Sequence, residues 1–248
     1  MPEGVKAHYP ARPIAATARV FRLSIKPDQI GTQAELHRQR LRRRAIVAVE
    51  FFFDFGSPNA YLAHKVIPAI EARTGEKFTH VPVLLGGIFK ATGNQSPMMA
   101  FAGIPAKLAY EQMEMRRFIS RHGLNRFQLN PHFPVNTLPI MRGAIAAQEL
   151  GVFDTYVESV FADMWERGLK MDAPDVIAAA LQKAGLPAGA LGALMQADGV
   201  KTRLAENTSA AVEKGVFGSP SFLVDGDALY FGKDRLRDVE EEMLRRKG

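Results

Sequence analysis

The sequence of 248 residues contains no cysteine. The chain therefore forms no disulfide and holds no thiolate for a metal or for catalysis, so any thiol chemistry must use a thiol carried by a ligand. Its six histidines show no HxxxH or HExxH spacing, and we expect no metal site. No apolar run approaches the roughly 18 residues that a membrane-spanning helix needs, so we expect no membrane association.

Basic and acidic residues are unevenly distributed along the chain. Residues 1–45 hold ten of the 32 Lys and Arg but three of the 26 Asp and Glu, so this segment carries +7 and the remainder −1. A neutral body argues against nucleic-acid binding. Because residues 1–45 lack sustained periodicity, we interpret them as a disordered, idle extension or as residues upstream of the true start near Val47 or Val49. A transit peptide and a nucleic-acid-binding arm are the alternatives.

A strand, a helix and a second strand open the body of the chain. Residues 46–53 are rich in β-branched and aromatic side chains, which favours a buried strand. Ser57 followed by Pro58 is typical of a helix start, and Gly75 of a helix end. A second strand is expected over residues 77–83, and so short a βαβ unit predicts parallel pairing.

A long helical block separates this unit from a second group of strands. From residue 86 to about residue 215 the apolar residues recur with helical spacing. Two short strands, expected over 221–224 and 228–231, then flank Asp225-Gly226, which predicts a hairpin. Asp234 is expected to cap a last helix. The predicted fold is α/β: a sheet domain formed by residues 46–85 plus 205–248, interrupted by an all-helical insertion domain over 86–204.

Three junctions between these elements could carry chemistry. Ser57 lies where unpaired N–H groups and the positive end of a helix dipole stabilise an anion or a thiolate, although a plain helix cap explains the same residue. A cis bond between Ser219 and Pro220 would expose main-chain groups to a ligand, with an ordinary turn as the alternative. Gly232 permits close approach of a ligand, and Asp234 could hold an ammonium group instead of capping a helix.

Five short motifs follow one another in a specific order: FFFDFGSPNAYLA at 51–63, GNQSP at 93–97, FPVNT at 133–137, VFGSP at 216–220 and FGKDRL at 231–236. Together they resemble the 2-hydroxychromene-2-carboxylate isomerases and kappa-class glutathione transferases, over about residues 47–246. The resemblance implies a DsbA-like thioredoxin fold with an all-helical insertion. Related disulfide oxidoreductases carry Cys-x-x-Cys where this chain has Ser-Pro-Asn-Ala at 57–60, so the chain itself cannot exchange disulfides.

The resemblance implies glutathione as the cofactor and assigns residues to it. Ser57 is implied as the catalytic residue that binds and activates the glutathione sulfur, and the backbone of Ser219 as the holder of the cysteinyl group. The γ-glutamyl end is assigned to Lys233 and Asp234. The full set expected at glutathione is Ser57, Asn94, Ser219, Pro220, Phe231, Gly232, Lys233 and Asp234, and Lys90 and Asn136 are expected to face a small aromatic carboxylate substrate. Relatives often carry other residues at 59, 60 and 219, so the resemblance does not define the exact substrate.

The implied activity is glutathione-dependent cis–trans isomerisation of 2-hydroxychromene-2-carboxylate, in bacterial degradation of aromatic hydrocarbons, by a cytoplasmic homodimer. Reversible addition of a thiolate to a conjugated double bond would permit rotation, and elimination would return glutathione unchanged. A kappa-like glutathione S-transferase that releases the conjugate is the first alternative. The second is a non-catalytic thioredoxin-fold binding module, against which the presence of Ser57 and of the Lys233-Asp234 pair argues.

Overall fold

The computed structural model describes residues 46–248, so the expectations for residues 1–45 lie outside the described residues. Four strands form one mixed sheet in the order β2-β1-β3-β4. They are β1 (Val49–Phe53), β2 (Phe78–Pro82), β3 (Ser221–Val224) and β4 (Ala228–Phe231). Strand β1 pairs parallel with β2 and antiparallel with β3, which pairs antiparallel with β4. The expected parallel βαβ unit and the expected hairpin are both present.

Helices occupy the first two of the three connections between the strands, and another helix ends the chain. Helix α1 (Pro58–Thr74) joins β1 to β2 and ends at Gly75, whose φ of 73° suits a residue without a Cβ. Eight helices lie between β2 and β3: α2 (Leu85–Thr92), α3 (Pro97–Ala100), α4 (Pro105–His122), α5 (Leu138–Glu149), α6 (Phe153–Trp165), α7 (Pro174–Lys183), α8 (Ala188–Leu194) and α9 (Asp198–Glu213). After β4, a 3₁₀ turn (Lys233–Arg235) leads into α10 (Leu236–Lys247).

The observed element order agrees with the predicted α/β fold and its helical insertion, and differs from the prediction at the last helix. Helix α10 begins at Leu236, and no side chain caps it. Asp234 was expected to be this cap, but its carboxylate is held by the Lys233 ammonium instead. Helix α9 runs across residue 204, and the division into a sheet domain and an insertion domain stays a prediction.

The core lies on both faces of the sheet because the side chains of β1 alternate between them. Phe51 and Phe53 belong to the larger apolar cluster, which includes residues of α1, α5 and α6. Phe52 points to the other face, into a smaller cluster that contains Ile88 of α2 and Ala211 of α9. Strand β1 is paired on both edges and buried on both faces, so its position is fixed by packing on every side. The chain that leaves its carboxyl end, residues 54–57, therefore has a well-defined position.

Candidate active site

Ser57 forms the junction between β1 and α1. Its backbone is extended (φ −94°, ψ 112°), and its Oγ accepts a hydrogen bond from the Ala60 N–H at 3.2 Å, as a helix cap does. The same hydroxyl donates to the carbonyl oxygen of Ser219 at 2.9 Å. Ser57 is therefore a helix cap and also the link between α1 and the loop before β3.

The loop before β3 and the turn after β4 meet beside Ser57. The Ser219–Pro220 peptide bond is cis. The Ser219 Oγ accepts a hydrogen bond from the Asp54 N–H at 3.2 Å, and the Pro220 carbonyl accepts one from the Gly232 N–H at 2.9 Å. Three stretches of chain that are distant in sequence thus converge at the carboxyl end of β1.

Two exposed phenylalanines flank this junction. The Phe217 and Phe231 rings lie 4.6 Å apart between centroids, and the Asn94 side-chain amide donates to the Phe217 carbonyl at 2.8 Å. Gly232 has a φ of 99°, and a Cβ there would meet no atom within 4 Å, so the space beside it is open. The Phe231-Gly232 segment therefore leaves room for a ligand next to the Ser219-Pro220 loop.

Lys233 and Asp234 form an ion pair in the turn that follows. The Lys233 Nζ lies 3.0 Å from each oxygen of the Asp234 carboxylate. The side chain of Lys233 is buried, and its ammonium lies over the Phe118 ring of α4, 5.3 Å from the centroid. The Asp234 side chain is 60% exposed. Of the two residues, Asp234 is the one that a ligand can reach.

The two residues expected to face a second substrate, Asn136 and Lys90, differ in how close they lie to the other predicted site residues. Asn136 is exposed and precedes Thr137, whose Cγ2 lies 3.0 Å from the point where a Gly56 Cβ would be. Asn136 is therefore close to the loop that carries Ser57. Lys90 is exposed near the end of α2, and no hydrogen bond or ion pair among residues 46–248 joins it to the other predicted site residues.

A family model, the DSBA-like thioredoxin domain, matches residues 48–244. The chain belongs to this family. A solved 2-hydroxychromene-2-carboxylate isomerase superposes with a TM-score of 0.67 at 28% identity, over 80% of this chain and 95% of that one. The 2-hydroxychromene-2-carboxylate isomerase of Pseudomonas sp. (strain C18) is 28% identical over 79% of this chain and 89% of its own length. Human glutathione S-transferase kappa 1 is 28% identical over 76% and 87%.

These similarities confirm the thioredoxin-like fold and the resemblance to both enzyme groups. The structure of the DsbA oxidoreductase of Xylella fastidiosa, at 18% identity and a TM-score of 0.54, has the same fold. None of the helices among residues 46–248 is long and apolar enough to cross a bilayer. Within the same residues, no group of three or more His, Asp or Glu side chains is placed to hold a metal ion.

Asp54 is a residue of this DSBA-like domain that the sequence interpretation missed. Its buried carboxylate accepts hydrogen bonds from the Gly56 N–H and the Leu85 N–H, each at 2.8 Å. Burial raises the pKa of the Asp54 carboxyl, although these N–H groups and the Thr137 side chain oppose the rise. The Asp54–Gly56 contact is a local turn that the Asp-x-Gly spacing could have predicted. No local signal points to Leu85.

One groove on the described surface lies away from Ser57. Its volume is about 610 Å³, and it lies along α6 and the end of α7. Its walls carry Glu158, Asp163 and Glu166, which already pair with Lys65, Arg167 and Arg126. None of the predicted site residues lines it, so we place the candidate site at the Ser57 junction.

Proposed function

We propose that this chain is a glutathione-dependent isomerase of the 2-hydroxychromene-2-carboxylate type. One observation carries the proposal: in a chain without cysteine, the Ser57 hydroxyl stands at the N-terminus of α1 and touches the carbonyl of Ser219 at 2.9 Å. This is where a helix stabilises a bound thiolate. The relatives named as isomerases of this substrate support the choice of reaction.

The residues at the junction fit glutathione. Glutathione, when bound, supplies the thiol that the chain lacks. Rotation about the Cβ–Oγ bond of Ser57 redirects its proton from the Ser219 carbonyl to a ligand sulfur, and the α1 dipole favours negative charge there. The open space beside Gly232 admits the peptide part, and the exposed Asp234 carboxylate lies within reach of the γ-glutamyl end. The homodimer remains a prediction, and Asn136 is proposed, with Lys90, to face the aromatic carboxylate.

The fate of the thiol tests the reaction. An isomerase returns glutathione unchanged, so 2-hydroxychromene-2-carboxylate should be converted for many turnovers per glutathione without loss of titratable thiol. A glutathione S-transferase consumes one thiol per turnover. The equal identity to human glutathione S-transferase kappa 1 makes conjugation the second candidate. Stoichiometric thiol loss, or fast conjugation of chlorodinitrobenzene with no activity on the chromene, would replace the isomerase assignment.

Replacing Ser57 by alanine tests the site itself. We expect Ser57→Ala to lower kcat/KM by about tenfold or more, because the donor to the sulfur is lost. Loss of the cap should cost about 1 kcal/mol of stability. The matched control is Ser96→Ala: Ser96 also caps a helix that begins with proline, and it accepts from the Met99 N–H at 3.3 Å. Equal turnover in the two variants would leave Ser57 as a helix cap alone.

A further inference from the structure

The ion pair between Lys233 and Asp234 is asymmetric in its exposure. Only 4% of the Lys233 side chain is exposed, whereas 60% of the Asp234 side chain is. The Lys233 Nζ is equidistant, at 3.0 Å, from both carboxylate oxygens. The lysine therefore lies beneath the carboxylate, and a ligand meets Asp234 first.

Helix α4 keeps Lys233 in this position. Phe118 is the buried residue of α4, and its ring lies 5.3 Å from the Lys233 Nζ, at a distance typical of a cation–π contact. Because the ammonium contacts both the ring and the carboxylate and only 4% of the side chain is exposed, it is largely withdrawn from water. A charge in such a place is screened by solvent and salt much less than an exposed one. At 3.0 Å from both oxygens, this ammonium offsets part of the negative charge that the Asp234 carboxylate presents.

The buried charge changes what the Asp234 carboxylate can recognise. A free carboxylate attracts a ligand ammonium, but a carboxylate already paired with a lysine presents little net charge. A ligand ammonium on the exposed side of Asp234 would also lie close enough to Lys233 to be repelled. The ion pair also fixes the Asp234 side chain in one orientation, which lowers the entropy cost of binding a ligand. This gain is smaller than the lost attraction for the ammonium, because only one short side chain is involved.

We propose that Lys233 is a specificity-determining residue which makes the thiol site weakly dependent on the γ-glutamyl ammonium. It acts through Asp234 and does not itself contact the ligand. The site then accepts thiol ligands that lack this amino group almost as well as glutathione. The inference rests on the proposed glutathione site and adds the charge preference of its γ-glutamyl end.

Calorimetric titration of the full chain with two ligands tests the proposal. The ligands are glutathione and its analogue glutaryl-cysteinylglycine, in which hydrogen replaces the γ-glutamyl amino group. For the wild-type protein we expect the two dissociation constants to agree within about threefold. In Lys233→Met, the ratio of the two dissociation constants should shift about tenfold in favour of glutathione, because both ligands carry the terminal carboxylate and only glutathione carries the ammonium that the unpaired Asp234 attracts. Methionine fits the apolar space beside Phe118, so the fold should be retained, which a melting curve checks.

Three further variants separate charge from position. Lys233→Gln keeps a donor for Asp234 without the charge and should behave as Lys233→Met does. Adding Asp234→Asn to Lys233→Met should abolish the gain. The control Lys201→Met removes a lysine from the exposed Lys201–Asp198 pair of α9 and should change neither affinity.

Failure of the proposed function and failure of the inferred role of Lys233 give different results. Absence of glutathione binding to the wild-type protein would overturn the proposed function and this inference with it. A Lys233→Met variant that binds glutathione but keeps the wild-type ratio of the two dissociation constants would overturn the inference alone. A wild-type protein that already prefers glutathione over the analogue by tenfold or more would do the same.

Discussion

Gly143 in α5 is a position where a single methyl group should destabilise the protein. A Cβ at residue 143 would lie 1.9 Å from the Tyr156 Oη and 2.5 Å from the Met195 Cε. Met195 ends in a flexible thioether and can move aside. Tyr156 cannot do so easily, because its ring is fully buried and its hydroxyl donates to the Ile140 carbonyl at 2.9 Å.

The loss of stability can be estimated from the packing and the hydrogen bond that Tyr156 would lose. To reach an ordinary contact distance its Oη would have to retreat by roughly 1.5 Å, which breaks the hydrogen bond to Ile140. Overpacking costs about 1–3 kcal/mol, and an unsatisfied buried hydroxyl about 1–3 kcal/mol. Alanine gains about 1 kcal/mol over glycine in a helix. We expect Gly143→Ala to lower the free energy of unfolding by about 1–5 kcal/mol.

Urea unfolding and thermal melting measure this loss, which corresponds to a fall in Tm of roughly 2–20 °C. The control is Gly192→Ala in α8, where a Cβ would meet nothing within 4 Å; that variant should be as stable as the wild type or up to about 1 kcal/mol more stable. Adding Tyr156→Phe to Gly143→Ala should recover part of the loss. If Gly143→Ala and Gly192→Ala proved equally stable, the close packing of α5 on α6 would be wrong.

Two other predictions concern buried titratable groups. Burial lowers the pKa of His80, whose Nε2 lies 3.1 Å from the His64 Nδ1, to about 4, so the unfolded chain takes up a proton first as pH falls. The free energy of unfolding, measured in urea, should drop by about 2–3 kcal/mol between about pH 6.5 and 4. His80→Gln should make this dependence on pH weaker, whereas the control His132→Gln should leave it as it is. An unchanged pH dependence in His80→Gln would show that His80 is not the group responsible. Asp54→Asn, which keeps one acceptor for two backbone N–H groups, should lose about 1–3 kcal/mol. The exposed Asp198→Asn should lose almost nothing, and equal stability of the two variants would refute the role of Asp54.

The parts of the fold that could be predicted from the sequence are those with local causes. The hairpin strands were predicted at 221–224 and 228–231, the bounds that the structure has, because Asp225-Gly226 supplies two residues that tolerate positive φ. The helix after Ser57 and its end at Gly75 likewise follow from a cap, a first-turn proline and a glycine. Parallel pairing of β1 with β2 follows from the helix between them.

The missed features depend on contacts between distant residues. Asp234 has the residue type of a helix cap, and the sequence gives no reason to prefer Lys233 as its partner. That preference arises because Phe118, more than a hundred residues earlier in the chain, helps to remove the lysine from water. The hydrogen bond from Leu85 to Asp54 is of the same kind. Burial of a polar group is decided by tertiary packing, which short-range patterns do not contain.

The identity of residue 219 illustrates how such a site accommodates sequence change. The Ser57 hydroxyl donates to the carbonyl oxygen of residue 219, which every amino acid carries, and the side chain of Ser219 takes no part in that contact. The Ser219 Oγ instead accepts from the Asp54 N–H. An aliphatic residue at 219 would therefore keep the link to Ser57 and would leave the Asp54 N–H to find another acceptor. The serine thus adds a second tie between the Ser219-Pro220 loop and the turn that holds Ser57, and the departure at this position is compatible with the proposed chemistry.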